Sequence, residues 1–181
     1  GISRATTGVL AFHVLRDSTT LSGMGGLTVE AWVYHTGTNY EVIVSHGDAM
    51  GGDPYLLHTS SLSDAAMTLG NHPMCTGMAS YPTGTAMAAS IWTHVAVTND
   101  AVAGSLLFYE NGALTGVFPS PTTLGTICDN DESLLVGAIS TTGDWAWEGI
   151  IDELKIWGVV RNPKEICDDA GGIWTGVSCN L

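Results

Sequence analysis

LTVEAWV at residues 27–33 and WTHVAVT at residues 92–98 are the two stretches that decide the fold of this chain. In the first stretch, Val29, Ala31 and Val33 occupy every second position, and charged or larger residues lie between them. A period of two residues is typical of a β-strand that turns one face toward a core. The second stretch has the same period, so strands rather than helices are predicted to build most of the chain.

A β-hairpin is predicted where the dipeptide Asn111-Gly112 separates two apolar segments, residues 106–109 and residues 113–118. Asn-Gly suits the positive φ angles of a type I′ turn, which joins two antiparallel strands closely. Further strands are predicted at residues 10–14, 42–45, 134–137 and 148–157. Short strands separated by Gly, Asp, Asn and Ser are typical of an all-β fold, and a two-sheet antiparallel jelly-roll sandwich is expected.

One short helix is predicted near the C-terminus, at about residues 163–168. Asn162 is a suitable N-cap, Pro163 fits the first helical position, and Glu165 completes a capping box. Ile166 is expected to point toward the core. Two segments, residues 47–53 and residues 71–90, are predicted to be irregular because Gly, Met and Thr interrupt any regular alternation.

The composition limits the classes of partner. The chain has 181 residues, of which 45% are hydrophobic, and this predicts one folded domain with a sizeable core. Five Lys and Arg residues against 18 Asp and Glu residues give a net charge of −13. Nucleic acid and anionic membrane surfaces are therefore excluded as expected partners, because both are bound through basic residues. No apolar run is long enough to predict membrane insertion.

The four cysteines, at positions 75, 128, 167 and 179, predict two disulfides in an exported protein. No two of them have the C-x-x-C spacing of a zinc site. We favour the pair Cys167 and Cys179, which closes a short loop, and therefore also the pair Cys75 and Cys128. The alternative is four free thiols in a cytoplasmic protein. Residues 1–4 look like the start of a mature chain, so an extracellular or cell-surface location is expected.

Three blocks of sequence carry a resemblance to a known family. The blocks are residues 27–33; residues 92–98 with 107–112; and residues 135–137 with 147–157 and 161–166. In this order they resemble the laminin-G-like, concanavalin-A-like jelly rolls, to which the pentraxins are related. The resemblance implies two packed sheets and an extracellular interaction module. It divides the chain into an N-terminal arm (1–8), a jelly roll (9–167) and a disulfide-closed tail (168–181).

The carboxylates do not have the spacing of a catalytic pair, so the chain is not expected to be an enzyme. Glucanases that share this fold have an E-x-D-x-E strand, whereas here Glu148 precedes Asp152 by four positions. That spacing is about 13 Å along a strand, whereas a retaining hydrolase needs about 5 Å. Asp152 is expected to point inward and to act as a structural acceptor for loop N–H groups, with a ligand or metal contact as the alternative.

The resemblance to pentraxins implies a possible calcium site, and the corresponding loops contain Asn39 and Asp144. The acidic run of the pentraxins is replaced here by ISTTGD at residues 139–144. Trp145 at a loop edge and Tyr81 in a predicted loop are candidates for stacking on a sugar, with core packing as their alternative. Trp147 occupies a core position of the family.

Two functions are predicted, in this order. The first is a structural or adhesive subunit of a surface or filamentous assembly, in which the arm containing Ile2 and Arg4 adds a strand to a neighbouring copy. The alternative is a soluble carbohydrate-binding, lectin-like module, assisted by calcium. The chain has no Asn-x-Ser/Thr sequon, whereas O-glycosylation is open at residues 120–123 and 141–142.

Overall fold

The computed structural model describes residues 13–15, 24–37, 40–47, 54–60, 64–71, 75–120, 127–128 and 131–181. This part of the chain contains thirteen strands and one helix. In chain order they are β1 (His13–Leu15), β2 (Gly26–His35), β3 (Val42–His46), β4 (Tyr55–Thr59), β5 (Asp64–Asn71), β6 (Thr76–Ala86), β7 (Trp92–Asp100), β8 (Ser105–Glu110), β9 (Ala113–Pro119), β10 (Leu134–Val136), β11 (Gly149–Trp157), α1 (Pro163–Asp169), β12 (Ile173–Trp174) and β13 (Cys179–Asn180).

The strands form two large antiparallel sheets, as the alternating sequence pattern predicts. One sheet has six strands in the order β1-β10-β3-β4-β5-β6, and the other has five in the order β11-β2-β7-β8-β9. A small third sheet pairs β12 with β13 in the tail. The predicted all-β class and the two-sheet architecture with a short C-terminal helix are therefore confirmed.

The core lies between the two large sheets and is built by the predicted faces of the strands. Val29, Ala31 and Val33 of β2 are fully buried, and Val97 of β7 lies in the same cluster as Phe108 of β8. Because alternate residues of a strand point to opposite faces, the residues between them lie on the outer face of the five-stranded sheet.

Helix α1 covers part of this outer face. Ile166 packs against Ala96 and Tyr109, and the three side chains form a second buried cluster. The Asn162 side chain accepts the Glu165 N–H, and the Glu165 carboxylate accepts the Asn162 N–H, so the predicted capping box is present. The predicted start and inward face of the helix are both confirmed.

The prediction of an irregular segment at residues 71–90 is wrong, because β6 occupies most of it. In the described sheet β6 lies at an edge and pairs with β5. An edge strand tolerates a residue without a backbone N–H, and Pro82 lies within β6. Residues 48–53 of the other predicted irregular segment lie outside the described part of the chain.

The structure contains both of the favoured disulfides, Cys75–Cys128 and Cys167–Cys179. The second disulfide joins α1 to β13 and also touches the predicted hairpin turn. Gly112 has a φ of +74°, and a Cβ atom there would lie 2.5 Å from the Cys179 Sγ. The turn therefore requires glycine both for its backbone conformation and for the close approach of the tail.

Candidate functional site

Two exposed aromatic side chains lie side by side near the start of β3. Tyr40 is 44% exposed and Trp145 is 45% exposed, and their ring centroids lie 5.4 Å apart at an interplanar angle of 35°. The ring of His58, on β4, lies 6.2 Å from the Trp145 ring at 37°. We call the three rings of Tyr40, His58 and Trp145 the aromatic platform. Trp145 was predicted from the sequence as a sugar-contact residue, whereas Tyr40 and His58 were not.

Backbone hydrogen bonds hold the two exposed rings of the platform together. Tyr40 comes just before β3, and the N–H of Val42 donates to the Trp145 carbonyl over 2.9 Å. Glu41, which lies between Tyr40 and Val42, pairs with β4. Its N–H donates to the Thr59 Oγ1, and its carbonyl accepts the Thr59 N–H, both over 2.8 Å. These hydrogen bonds fix Tyr40 and the loop that carries Trp145 to β3 and β4 of the six-stranded sheet.

Both exposed rings of the platform are carried by strained backbone. Tyr40 and Trp145 each have a φ of 52°, in the left-handed region that costs an L-residue about 1–2 kcal/mol. Such conformations persist only where surrounding contacts hold them, and they concentrate at functional sites. Two neighbouring aromatic residues that are strained and also exposed point to a surface kept for binding.

A buried carboxylate lies behind the platform. The Glu41 Oε2 accepts the Glu148 N–H over 2.8 Å, and its Oε1 lies 3.6 Å from the His35 Nε2. The His35 ring in turn lies 5.3 Å from the ring of Trp147, which is buried as its predicted core position requires. Burial lowers the pKa of His35, so its imidazole is neutral at physiological pH. Glu41 thus ties the loop that carries Trp145 to the end of β2.

The hydrogen bonds of His58 define its tautomer. Its Nδ1 lies 2.7 Å from the Thr59 carbonyl oxygen, which can only accept, so Nδ1 carries the proton. Its Nε2 lies 2.9 Å from the Thr68 Oγ1 and accepts from that hydroxyl. Burial lowers the pKa of His58, and the ring beside Trp145 is therefore uncharged.

Asp144 lies on the exposed turn that precedes Trp145. Its Oδ2 accepts hydrogen bonds from the hydroxyls of Ser140 and Thr142, each over 2.6 Å. These hydrogen bonds lower the pKa of the exposed Asp144 carboxyl, so it is ionised at neutral pH. Asn39, the other predicted calcium ligand, lies outside the described residues, and in the described part no three His, Cys, Asp or Glu side chains converge on a common point. The calcium site stays a prediction.

The other predicted contact residues lie elsewhere. Tyr81 is in β6 rather than in a loop, and it packs against Phe118 and the core with ring centroids 5.6 Å apart, so the structure does not bring it to Trp145. The inward orientation predicted for Asp152 is wrong. A β-bulge between Asp152 and Lys155 shifts the register, and Asp152 pairs with Trp32 on the outer face.

The bulge explains the parity of β11. Glu153 adopts a φ of 49°, so Ile151 and Leu154 both pack against the core although three positions separate them. The Asp152 carboxylate accepts the Glu153 N–H over 2.9 Å, and this donor lies within β11, whereas the expected donors were N–H groups of a loop. The predicted arm residues Ile2 and Arg4 lie outside the described part of the chain.

A charged cluster lies under α1 and was not predicted. Glu30 is fully buried on β2, and its Oε1 accepts from the Trp157 Nε1 over 2.8 Å and from an Arg161 nitrogen over 2.7 Å. Arg161 also pairs with Asp169, whose other oxygen accepts the Lys155 Nζ over 2.7 Å. Glu30, Lys155, Arg161 and Asp169 form what we call the charged cluster.

A second aromatic pair, of which Trp92 is exposed and Tyr34 is half-buried, lies on the outer face of the five-stranded sheet. Trp92 is 40% exposed, and its ring centroid lies 5.8 Å from that of Tyr34 on the paired strand. Trp92 has ordinary strand geometry, whereas the exposed rings of the platform have left-handed backbone. Trp92 therefore serves as a matched control for Trp145.

The sequence defines the family directly. The sequence model of the concanavalin A-like lectin/glucanases superfamily matches residues 10–167, and the chain belongs to this superfamily. The order of its blocks and the observed sheets agree with that assignment. No curated protein matches the chain in sequence. Among the described residues, no helix is long and apolar enough to cross a membrane.

Solved structures with the same fold come from several kinds of protein. The CBM40 domain of a Ruminococcus gnavus sialidase, bound to α2,3-sialyllactose, is 15% identical with a TM-score of 0.67, and the match covers 94% of this chain and 98% of that one. Domain 4 of a Geobacillus stearothermophilus extracellular arabinanase, in complex with arabinotriose, is 19% identical with a TM-score of 0.64, covering 94% and 82%. A heptameric pentraxin from Limulus polyphemus is 16% identical with a TM-score of 0.65, covering 91% and 77%.

At these identities the likeness shows the fold alone. Two further matched structures are longer proteins, of which the chain covers 43% and 39%. The position of a binding surface in this chain therefore has to be argued from its own residues.

Proposed function

We propose that the chain is an exported, non-catalytic carbohydrate-binding module and that the aromatic platform is its sugar-binding surface. The observation that carries the proposal is the pair formed by Tyr40 and Trp145. Both rings are nearly half exposed, they lie side by side, and both are held in left-handed backbone conformations. The left-handed backbone costs stability at both residues, and such conformations concentrate at functional sites, which supports a binding role.

The chemistry of the platform suits a sugar. A pyranose or furanose ring has apolar C–H faces and polar edges, and an aromatic ring offers a flat apolar surface of matching size. Binding sites for small ligands combine such surfaces with a few polar groups that fix orientation. Here the Tyr40 hydroxyl belongs to one of the exposed rings, and the Asp144 carboxylate lies on the exposed turn that precedes Trp145.

The comparisons support the same class of ligand. Two of the structures with this fold were determined with sialyllactose and with arabinotriose. They favour the carbohydrate-binding alternative over the structural or adhesive subunit that the sequence analysis placed first. Self-association through the arm stays a prediction, because residues 1–8 lie outside the described part of the chain. The two disulfides support an oxidising, extracellular compartment.

Binding to a printed glycan array, with wild type and two variants, tests the proposal. Trp145→Ala should weaken binding of the recognised glycan at least about tenfold, because a central aromatic contact contributes more than about 1.4 kcal/mol. Trp92→Ala removes an indole of similar exposure outside the platform and should retain binding. Equal binding by wild type and Trp145→Ala would contradict the assignment of the platform, and no binding to any carbohydrate would contradict the proposed function.

A further inference from the structure

We propose that the aromatic platform selects neutral carbohydrates and discriminates against glycans that carry a carboxylate or a sulfate. This inference rests on the proposed function and names the ligand class of the same surface. It is drawn from the charges around the platform in this chain. It predicts a ligand class different from the sialylated trisaccharide bound by one protein of the same fold.

The charged groups of the loop that carries Trp145 are negative. Asp144 immediately precedes Trp145 and Glu148 follows it by three positions, and both are exposed. The Asp144 carboxylate already accepts two hydrogen bonds from hydroxyls of its own turn, and these hydrogen bonds stabilise its ionised form. An anionic sugar seated on Trp145 would therefore bind beside a loop whose charged residues, Asp144 and Glu148, are both negative.

The histidines near the platform supply no compensating positive charge. The His58 ring carries its single proton on Nδ1 and accepts from Thr68 at Nε2, so adding a second proton would break the hydrogen bond from the hydroxyl. The His35 ring is buried against Trp147 and is also neutral at physiological pH. Neither imidazole can act as the cation that recognition of a carboxylate or sulfate usually requires.

The described cations are engaged elsewhere. Of the five Lys and Arg residues in the sequence, three lie in the described part of the chain: Lys155, Arg161 and Lys164. Lys155 and Arg161 are held by Asp169 and Glu30 in the charged cluster, and Lys164 pairs with Asp168 on α1. Each of the three is thus committed to a carboxylate on or under α1.

The size of the discrimination follows from Coulomb's law. Two unit charges about 5 Å apart in water repel each other by about 0.8 kcal/mol, which corresponds to roughly a fourfold change in affinity. Salt screens this repulsion, because the Debye length falls to about 3 Å at 1 M ionic strength. The affinity of a neutral sugar is affected neither by this repulsion nor by its screening.

The test uses an array on which neutral oligosaccharides, including lactose and arabinotriose, are printed beside counterparts bearing sialic acid, sulfate or uronic acid. Calorimetry then measures the affinity ratio for the strongest neutral ligand and its acidic counterpart at low salt and at about 1 M salt. The acidic counterpart should bind at least about fourfold more weakly at low salt, and the ratio should approach one at high salt. Equal or tighter binding of the acidic counterpart at low salt would overturn the inference while leaving the proposed function standing.

A pair of variants separates the local charge from the net charge. Asp144→Asn and Asp168→Asn each remove one exposed carboxylate, so both change the net charge by the same amount. The neutral-to-acidic ratio should fall in Asp144→Asn and stay at the wild-type value in Asp168→Asn. An equal fall in both variants would overturn the assignment to the platform. Absence of binding to every printed glycan would instead refute the proposed function itself, and the wild-type salt series is informative even if Asp144→Asn is unstable.

Discussion

The charged cluster under α1 and the aromatic platform use carboxylates in opposite ways. Glu30 is fully buried, and an arginine and a tryptophan donate to it. Asp144 is exposed, and its donors among the described residues are the hydroxyls of its own turn. In the charged cluster the positive charges compensate a buried charge and hold the helix on the sheet. In the platform, strained aromatic residues are kept exposed at a cost in stability.

The two regions differ in where the described cations of the chain lie. A buried carboxylate without a partner is strongly destabilising, so Arg161 is needed where Glu30 lies. The same residue types at an exposed surface would contribute little to stability. Two of the three described cations, Lys155 and Arg161, therefore belong to the charged cluster around the buried Glu30, and the platform carries negative charge.

The largest effect is expected in the charged cluster. Arg161→Ala should lower the free energy of unfolding by about 3–5 kcal/mol, because Glu30 would be left buried without its positive partner. Urea denaturation followed by tryptophan fluorescence measures the change. Lys164→Ala, which removes an exposed pair, should cost less than about 0.5 kcal/mol. Adding Glu30→Gln to Arg161→Ala should restore part of the lost stability. An equal loss of stability in Arg161→Ala and Lys164→Ala would contradict the difference drawn between the buried and the exposed pair.

The tail disulfide should have the next largest effect. It closes a loop with a sequence separation of 12 residues, for which the chain-entropy relation gives about 3 kcal/mol. The double variant Cys167→Ala and Cys179→Ala should therefore have a free energy of unfolding lower by that amount, measured by urea denaturation. Its glycan binding should match the wild type, since the disulfide lies beside α1. Loss of binding in a variant that is still folded would show that the two regions are coupled.

The third prediction concerns pH and the histidine beside Glu30. The His94 Nε2 lies 3.6 Å from the Glu30 Oε2, and burial lowers the pKa of His94 from 6.5 to about 4. Between these values the unfolded chain binds a proton that the folded protein does not. Stability is therefore lost as pH falls, by about 2 kcal/mol between pH 7 and pH 5.

His94→Gln isolates this contribution. Burial raises the pKa of Glu30, which acts in the opposite direction because the folded protein then takes up a proton more readily than the unfolded chain. The variant should lose less stability than wild type between pH 7 and pH 5 in urea titrations. An identical pH dependence in the two proteins would refute the role assigned to His94.

The smallest effect tests the strain of the platform. Trp145→Gly should be more stable than Trp145→Ala by about 1 kcal/mol, because glycine adopts the left-handed conformation without penalty. At the control position in β7 the order should reverse, since Trp92→Gly is expected to be less stable than Trp92→Ala by about 0.5–1 kcal/mol. Thermal melts of the four variants measure both differences, and the same order at the two positions would contradict the claim of strain.

Local patterns in the sequence account for most of the fold. The alternation around Val29 predicts the core face of β2, and the residues around Asn162 predict the start of α1. The period fails at Asp152, because a bulge in the middle of β11 reverses the parity of the following residues. It also fails in β6, where an edge position relaxes the demand for regular alternation.

The site was predicted only in part, because it depends on contacts between distant segments. Trp145 could be proposed from its position at the edge of a predicted loop, whereas Tyr40 and His58 become relevant only when the strands that carry them pair. Glu30 lies on the polar parity of β2 and reads as a solvent-facing residue. Its carboxylate is buried where Trp157 and Arg161, more than a hundred residues later in the sequence, donate to it.

The most direct test of the account is a titration of the six tryptophan indole N–H signals in a ¹H–¹⁵N correlation spectrum. The neutral oligosaccharide selected by the array is added to the wild-type protein, with the signals assigned by single Trp→Phe variants. The account predicts that the Trp145 signal moves, while the signal of Trp157, which donates to Glu30 in the charged cluster, stays in place. A spectrum in which Trp157 or Trp92 moves and Trp145 does not would contradict the assignment of the binding surface.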